Sequence, residues 1–427
     1  MMTYREALDY IHSVVWKGSR PGLSRIRELL HLLGDPQDKL RFIHIAGTNG
    51  KGSVSAMTES VLRAAGYRTG LFISPYIKSF NERISYCGKP IDNEALAEAT
   101  ATVRPFADSM ADAPTEFELI TAIGFVYFAK MGCDVVVLET GMGGRLDSTN
   151  IIRDPIATVI TGISLDHTAY LGNTVAEIAR EKAGIIKEGA PIVWGGRDAA
   201  ARAVIESVAK EKNAPFVAAA DTPARDITLS LSGITLSRGE KSNLQVSLMG
   251  TYQVQNITTV LALMEVLPSR GITVTEAQLR EGLATVCWRG RFERLALDPL
   301  IIADGAHNPE GIAAAAESIR TYFKDTPVLL LNAVMADKDY REMVEVLSPL
   351  TAGVFTLTPD NPRALQAKEL AAVWQAAGIP ATAFDTVTGA VKAAVAAARE
   401  RGLPLLSLGS LYMYGEVTAA LEALGIL

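Results

Sequence analysis

The chain has 427 residues, 48% of them hydrophobic, with 41 basic against 47 acidic side chains and a formal charge of −6. It can bury more than one sizeable core, and it carries no Lys/Arg cluster of the kind that binds nucleic acid. Cys87, Cys133 and Cys287 lie far apart without Cys-x-x-Cys spacing, which argues against a disulfide framework or a zinc site and fits a reducing, cytoplasmic setting.

The first ten residues carry charges where a signal peptide needs an apolar core, and no run approaches ~20 apolar residues, so neither export nor membrane insertion is expected. After an N-terminal helical region, apolar runs at Phe42 to Ala46, Thr69 to Ser74, Cys133 to Glu139, Ile156 to Gly162 and Pro191 to Trp194 alternate with helical patterns. That rhythm predicts parallel strands joined by crossover helices.

The first run feeds Gly47-Thr48-Asn49-Gly50-Lys51-Gly52-Ser53. Glycines at 47, 50 and 52 remove the Cβ atoms that keep backbone amides away from an anion, and they permit positive φ. Val54 to Ala65 reads as a helix whose N-terminal amides point back at the loop. Lys51 is placed to meet β/γ-phosphates and Ser53 to meet Mg2+. Gly52 separates the lysine from the hydroxyl, so this is a variant phosphate loop; the plain alternative is an ordinary glycine-rich turn.

Farther on, Asp134 to Leu138 delivers Glu139 at a strand's carboxyl end, the ligand side of an open parallel sheet, where a carboxylate can hold Mg2+ or simply be solvated. The next strand leads to Asp166-His167, a candidate metal or phosphate contact or a structural hydrogen-bonding pair. Lys182 reads only as a surface lysine near the end of a helix that stops at Gly184.

Asp226 to Met249 alternates with period two and suggests antiparallel ribbons appended to the sheet, followed by helices near Gln253 to Val266 and Thr275 to Ala284. From Leu295 the strand–helix alternation resumes, with apolar runs at Leu300 to Ala303, Val328 to Leu331, Val354 to Leu357 and Pro404 to Leu408. The expected domains are therefore 1–294 and 295–427. In the second, Ile301-Ile302-Ala303 feeds Asp304-Gly305-Ala306-His307-Asn308-Pro309; Asp304 and His307 are candidate ligand groups, while Asn308 and Pro309 read as a helix cap. Arg291 stands near the expected junction, where it could meet a phosphate or form a salt bridge.

These stretches together resemble folylpolyglutamate synthase, including its bifunctional dihydrofolate synthase forms, within the Mur ligase superfamily. The resemblance covers nearly the whole chain. It runs from Pro21-Gly22-Leu23-Ser24 and the phosphate loop through Ser74-Pro75-Tyr76, Asn81-Glu82-Arg83, Glu139 to Asn150, Asp166-His167 and Lys182-Ala183-Gly184. It continues through Tyr252-Gln253 with Asn256, Gly290-Arg291, Asp304 to Pro309 and Asp337-Lys338-Asp339.

The resemblance implies an α/β fold: an N-terminal P-loop-type, mostly parallel sheet domain with helices on both faces, and a smaller C-terminal Rossmann-like domain. It implies that Gly47 to Ser53 bind ATP with Lys51 at the phosphates, that Ser53 and Glu139 hold one Mg2+, and that Glu139 and His167 help hold a second. Lys182 matches the family's carbamylated lysine, derived from CO2. Lys51, Lys182 and His167 are thus the implied catalytic groups. Asn256 matches an adenine contact, Arg291, Asp304 and His307 match nucleotide or substrate contacts, and Ser74 and Arg83 lie on a loop near the folate and glutamate sites.

The implied reaction adds L-glutamate to folate or dihydropteroate through an acyl phosphate, with domain closure excluding water, and the implied state is a monomer. Tyr76 departs from the Ser-Pro-His common in bifunctional members, which bears on the dihydropteroate reaction. The competing readings are folylpolyglutamate synthase alone, a cell-wall amino-acid ligase, which calls for an additional N-terminal uridine-binding domain, and a non-catalytic ATP-binding switch, which leaves Arg291, Asp304 and His307 without a task.

Overall fold

The computed structural model describes every residue except Met1, Trp16, Lys17 and Ser19. Its first sheet comprises β1 (Phe42–Ala46), β2 (Thr69–Phe72), β3 (Ile84–Tyr86), β4 (Lys89–Pro90), β5 (Val135–Glu139), β6 (Ala157–Ile160), β7 (Ile192–Trp194) and β8 (Phe216–Ala218). The strand order is β4-β3-β2-β5-β1-β6-β7-β8. Strands β2, β5, β1, β6, β7 and β8 run parallel, and β3 and β4 form an antiparallel edge. All five residues of β1 and of β5 are buried, as the unbroken Val-rich runs require when a strand is covered on both faces.

One core packs residues of the helices Ser24–Leu32, Asn93–Ser109 and Glu116–Met131 with Phe72, Val136 and Leu138, and another packs the helices Val175–Ala183 and Ala199–Glu211 with Ile160, Ile192 and Trp194. The Glu116–Met131 helix shows how sequence sets its limits. Thr115 and Glu118 form a capping box, and Gly132 ends the helix in the left-handed conformation at φ 62°.

The ribbon differs from expectation. β9 (Arg225–Ser230), β10 (Gly233–Arg238) and β11 (Lys241–Val246) make a separate three-stranded sheet in the order β11-β10-β9, not an extension of the first. Leu244 and Val246 are buried while their neighbours Asn243 and Gln245 are exposed. Period-two alternation sets which side chains face inward and which outward, and leaves the partner strand unspecified.

The last sheet contains β12 (Glu293–Leu297), β13 (Leu300–Asp304), β14 (Val328–Asn332), β15 (Thr351–Thr356), β16 (Ala381–Ala383) and β17 (Leu405–Leu408). Its order is β12-β13-β17-β14-β15-β16, parallel except for the β12–β13 hairpin. Ile302, Val328, Leu330 and Leu406 belong to one core, and Ile301, Leu329, Leu331 and Leu405 to another. Successive side chains alternate between faces, so this sheet too is covered on both.

The chain divides into two compact units: 1–225 with 237–244 and 255–286, and 226–236 with 245–254 and 287–427. This differs from a break at 294/295. That position lies inside β12, whose pairing with β13 holds it in the second unit.

In the first unit the helix Glu276–Thr285 lies on the helix Lys51–Ala64, and a Cβ on Gly282 would come within 2.4 Å of Val61 Cα. Backbone cannot yield as a side-chain tip can. Gly282→Ala should therefore lower the stability of the first unit by about 1–3 kcal/mol, read as a lower urea midpoint; an unchanged midpoint would show that the helices separate without cost.

Candidate active site

Three parallel strands of the first unit end side by side. Ile45 pairs with Glu139 and Ala46 with Ile160, while Thr140 N and Thr161 N continue the ladder by donating to Ile45 O and Ala46 O, each at 2.9 Å. The glycine-rich turn leaves β1 at this edge. Gly47 has φ 153° and Gly50 φ 89°; a Cβ on Gly47 would lie 1.8 Å from Thr161 Oγ1 and one on Gly50 2.4 Å from Asn256 Oδ1. Both glycines are thus demanded by backbone angle and by space.

The following helix begins at Lys51, with left-handed Gly50 as its N-cap, and not at Val54. Gly52 is helical, so its contribution is the missing side chain and not a positive φ. Lys51, Gly52 and Ser53 form the first turn, whose amides and positive dipole end face the loop. Thr48 N donates to Gly162 O at 2.8 Å and Thr161 Oγ1 to Asn49 O at 2.7 Å, which ties the loop to the end of β6.

Lys51 Nζ bends back to donate to Gly47 O at 3.0 Å and Thr48 O at 3.1 Å. Lys182 Nζ donates to the same Gly47 O at 2.7 Å. Lys182 is 4% exposed, so the surface assignment is overturned. Ile178, Ala179, Lys182 and Ala183 form the buried stripe of their helix, and that i, i+4 spacing was the signal available in the sequence. Burial first, and then the neighbouring Lys51 charge, push the Lys182 amine down to about 7, with Asp166 and Asp147 opposing.

Glu139 is 4% exposed and Ser53 2%. Ser74 N approaches Glu139 Oε2 at 3.4 Å, which brings the Ser74 loop to the same strand end. His167 heads the short helix Thr168–Leu171 in the left-handed conformation at φ 50°. Its side chain is 52% exposed, with Nε2 3.9 Å from Asp166 Oδ2. Arg83 lies over Tyr76, 5.2 Å from the ring centre, and 5.7 Å from that of Phe80. Glu82 Oε2 accepts from Ile77 N at 2.8 Å and Lys78 N at 3.1 Å, closing that loop.

The second unit gathers Arg291, Asp304 and His307 around two turns. Asp304 is buried at the end of β13; its Oδ2 accepts from Tyr252 Oη at 2.7 Å and Phe292 N at 2.8 Å, and its Oδ1 from Ala306 N at 2.7 Å. Burial raises its pKa, and these donors with Arg291 counter the rise. Gly305 N donates to Gly290 O at 2.9 Å, His307 Nδ1 lies 2.8 Å from Gly305 O, and a Cβ on Gly305 would lie 2.7 Å from an Arg291 guanidinium nitrogen. Asp304 is the anchor of this cluster. Tyr252 as its hydroxyl donor, and Tyr76 and Phe80 as platforms for Arg83, were not legible as partners because each contact joins residues distant in sequence or on irregular turns.

Residues 45–264 match the Mur ligase middle domain and residues 290–410 the Mur ligase glutamate ligase domain. The dihydrofolate synthase/folylpolyglutamate synthase of Bacillus subtilis is 39% identical over 86% of this chain and 88% of its own. The chain belongs to the folylpolyglutamate synthase/dihydrofolate synthase family of Mur ligases. The folylpolyglutamate synthase of Lacticaseibacillus casei is 37% identical over 85% of this chain and 87% of its own. A crystal structure of the Mycobacterium tuberculosis folylpolyglutamate synthase complexed with ADP and AMPPCP superposes with a TM-score of 0.88 at 31% identity, covering 99% of this chain and 98% of that one.

The donor types at these strand ends suit a magnesium ion unequally. Ser53 and Glu139 offer hard oxygens at the ends of adjacent elements, the donor type Mg2+ prefers. His167 offers a nitrogen on an exposed turn, a poorer match.

Asp304→Asn puts an amide NH2 against at least one N–H or O–H donor whichever way it is turned. It should cost about 1–3 kcal/mol of stability in the second unit; Tyr252→Phe should cost less, and equal urea midpoints for wild type and Asp304→Asn would contradict the anchoring role.

Proposed function

We propose that the chain is an ATP-dependent ligase that adds L-glutamate to folates and also to dihydropteroate, releasing ADP and phosphate. The observation that carries the reading is the paired Lys51 and Lys182 on the Gly47 carbonyl, inside a glycine-rich turn that opens a helix. A carboxylate is a poor acyl donor. Transfer of the ATP γ-phosphoryl group to it gives an acyl phosphate, whose carbonyl carbon the glutamate amine attacks; the tetrahedral adduct collapses and phosphate leaves.

In this scheme Gly47 to Ser53 cradle the phosphates and Lys51 turns outward from its carbonyls to neutralise the charge that moves in the transfer. Ser53 and Glu139 would hold one Mg2+, with Glu139 and His167 contributing to a second, and the ion supplies charge neutralisation at the phosphates. Asn256 contacts the nucleotide, Ser74 and Arg83 serve the acceptor side, and Arg291 and His307, held by Asp304, contact nucleotide or substrate.

Lys182 is proposed to be carbamylated. Its amine, pushed down to about 7 by burial and the Lys51 charge, is substantially neutral at about pH 7, where an ordinary lysine is neutral in only about one part in a few thousand. Attack of the neutral amine on CO2, with loss of one proton, turns one of the two amines on this carbonyl into an anion. We further propose a cytoplasmic monomer; among the described residues no helix is long and apolar enough to cross a membrane.

A narrower reading, folylpolyglutamate synthase alone, is favoured by one observation: Tyr76 fills the face of Arg83 with an aromatic ring. Incubation with ATP, Mg2+ and L-glutamate plus either a reduced folate or dihydropteroate separates the two. Mass spectrometry should show a glutamyl addition to both acceptors; addition to folate only establishes the narrower reading, and none to either, from folded protein, refutes the ligase.

Lys182→Ala should reduce kcat by roughly a hundredfold or more and recover part of it with a short carboxylic acid; full activity without additive would contradict its role. With 13CO2, the carbamate signal should rise from about pH 6 to about pH 8 as the amine loses its proton, and be absent from Lys182→Ala. A signal unchanged across that range would place the titration elsewhere.

A further inference from the structure

A buried polar chain lies behind the phosphate loop and takes no part in the scheme above. His44, in the middle of β1, is fully buried, and its Nε2 lies 2.8 Å from Thr149 Oγ1. Thr149 Oγ1 lies 2.5 Å from Asp147 Oδ1, which also accepts from Thr149 N at 3.0 Å. Asp147 Oδ2 accepts from Met142 N at 2.9 Å, and Asp147 N donates to Gly144 O at 3.1 Å. The carboxylate thereby closes the turn 141–147, which directly follows Glu139 and Thr140.

That turn bears on the backbone of Lys182. A Cβ on Gly144 would lie 2.8 Å from Lys182 O and 2.9 Å from Lys182 Cα. Arg145 N donates to Glu181 O at 2.7 Å, and Asn150 Nδ2 donates to both Arg145 O and Gly184 O at 3.0 Å. Lys182 Nζ then returns to Gly47 O, three residues along the chain from His44. The circuit begins and ends on the same strand and its loop.

The direction of the hydrogen bonds follows from the donors. Burial raises the pKa of Asp147, and its hydrogen bonds from Thr149 and Met142 counter the rise; with backbone N–H groups aimed at both oxygens the carboxylate accepts, so the Thr149 hydroxyl proton goes to Asp147 and its lone pair receives Nε2–H of His44. Nδ1 has no hydrogen-bond partner among the described residues. Burial, with Lys187 nearby, pushes the imidazole down to about 3, so it is neutral. A buried chain that leaves one ring nitrogen unsatisfied sacrifices stability that an apolar side chain would retain, which points to a requirement other than packing.

We propose that His44 is a positioning residue for the ligase reaction: through Thr149 and Asp147 it sets the turn 141–147 against Lys182 and so fixes the lysine relative to the phosphate loop. The inference rests on the ligase reading, and wild-type protein assayed in parallel tests that reading separately. His44→Leu and Thr149→Val should each lower kcat roughly tenfold or more, the size expected for an outer-shell partner, with KM for ATP within about twofold. His44→Gln, whose amide nitrogen can replace Nε2–H, should restore at least about half of wild-type kcat. The Leu/Val double variant should be no slower than either single variant, because both break one connection.

An active wild type with His44→Leu equally active, a double loss equal to the product of the single losses, or a raised KM for ATP at unchanged kcat would each overturn the proposal. If His44→Leu fails to fold by circular dichroism, Thr149→Val and His44→Gln decide it: a slow Thr149→Val with an active His44→Gln supports it, and any other pair of results refutes it.

Discussion

Two lysines reach one carbonyl oxygen, that of Gly47, and the architecture of the first unit is built around making this possible. Lys51 arrives from the first turn of the helix that follows the loop, and Lys182 from the last turn of a helix on another connection. Both meet the oxygen only because Gly47 turns through φ 153° beside Thr161, in a space that no side chain could share. An exposed amine would keep its proton under these conditions. The buried one has its pKa depressed to near neutrality, because desolvation and a like charge both disfavour the ammonium form. A lysine buried in this way shifts its pKa readily, which an exposed counter-ion does not.

The second unit solves a related problem with the opposite charge. Asp304 also stands at a strand end, but it collects donors from Tyr252, Phe292 and Ala306. A carboxylate saturated in this manner holds turns in place, and those turns carry Arg291 and His307. The same position at the end of β5 is filled by Glu139, whose oxygens suit a hard cation. Strand-end acids in this fold therefore divide into one that organises backbone and one suited to metal.

Much of the site was legible because its residues are adjacent in sequence. The turn Gly47 to Ser53 is a local motif whose glycines announce their purpose, and Glu139 and Asp304 close apolar runs that could only be buried strands. The cap at Asn308, which accepts from Gly311 N, was legible for the same reason. The start of the helix at Lys51 was misplaced by three residues, since Gly50 in the left-handed conformation begins a helix that the weak propensity of Gly52 obscures. The separate sheet β9–β11 and the inclusion of β12 in the second unit depended on which strands pair, and period-two alternation specifies faces without naming partners.

The sequence by itself determined the alternation of strands and helices, the glycine-rich turn and, by resemblance, the family. Those features rest on local backbone preference and on motifs a few residues long. Only the tertiary structure decided that Lys182 is buried on Gly47, that Asp304 is an internal acceptor, and that His44, Thr149 and Asp147 form one chain behind the loop. Each of these joins groups brought together by folding, and a side chain's charge and role depend on the burial and partners it meets there.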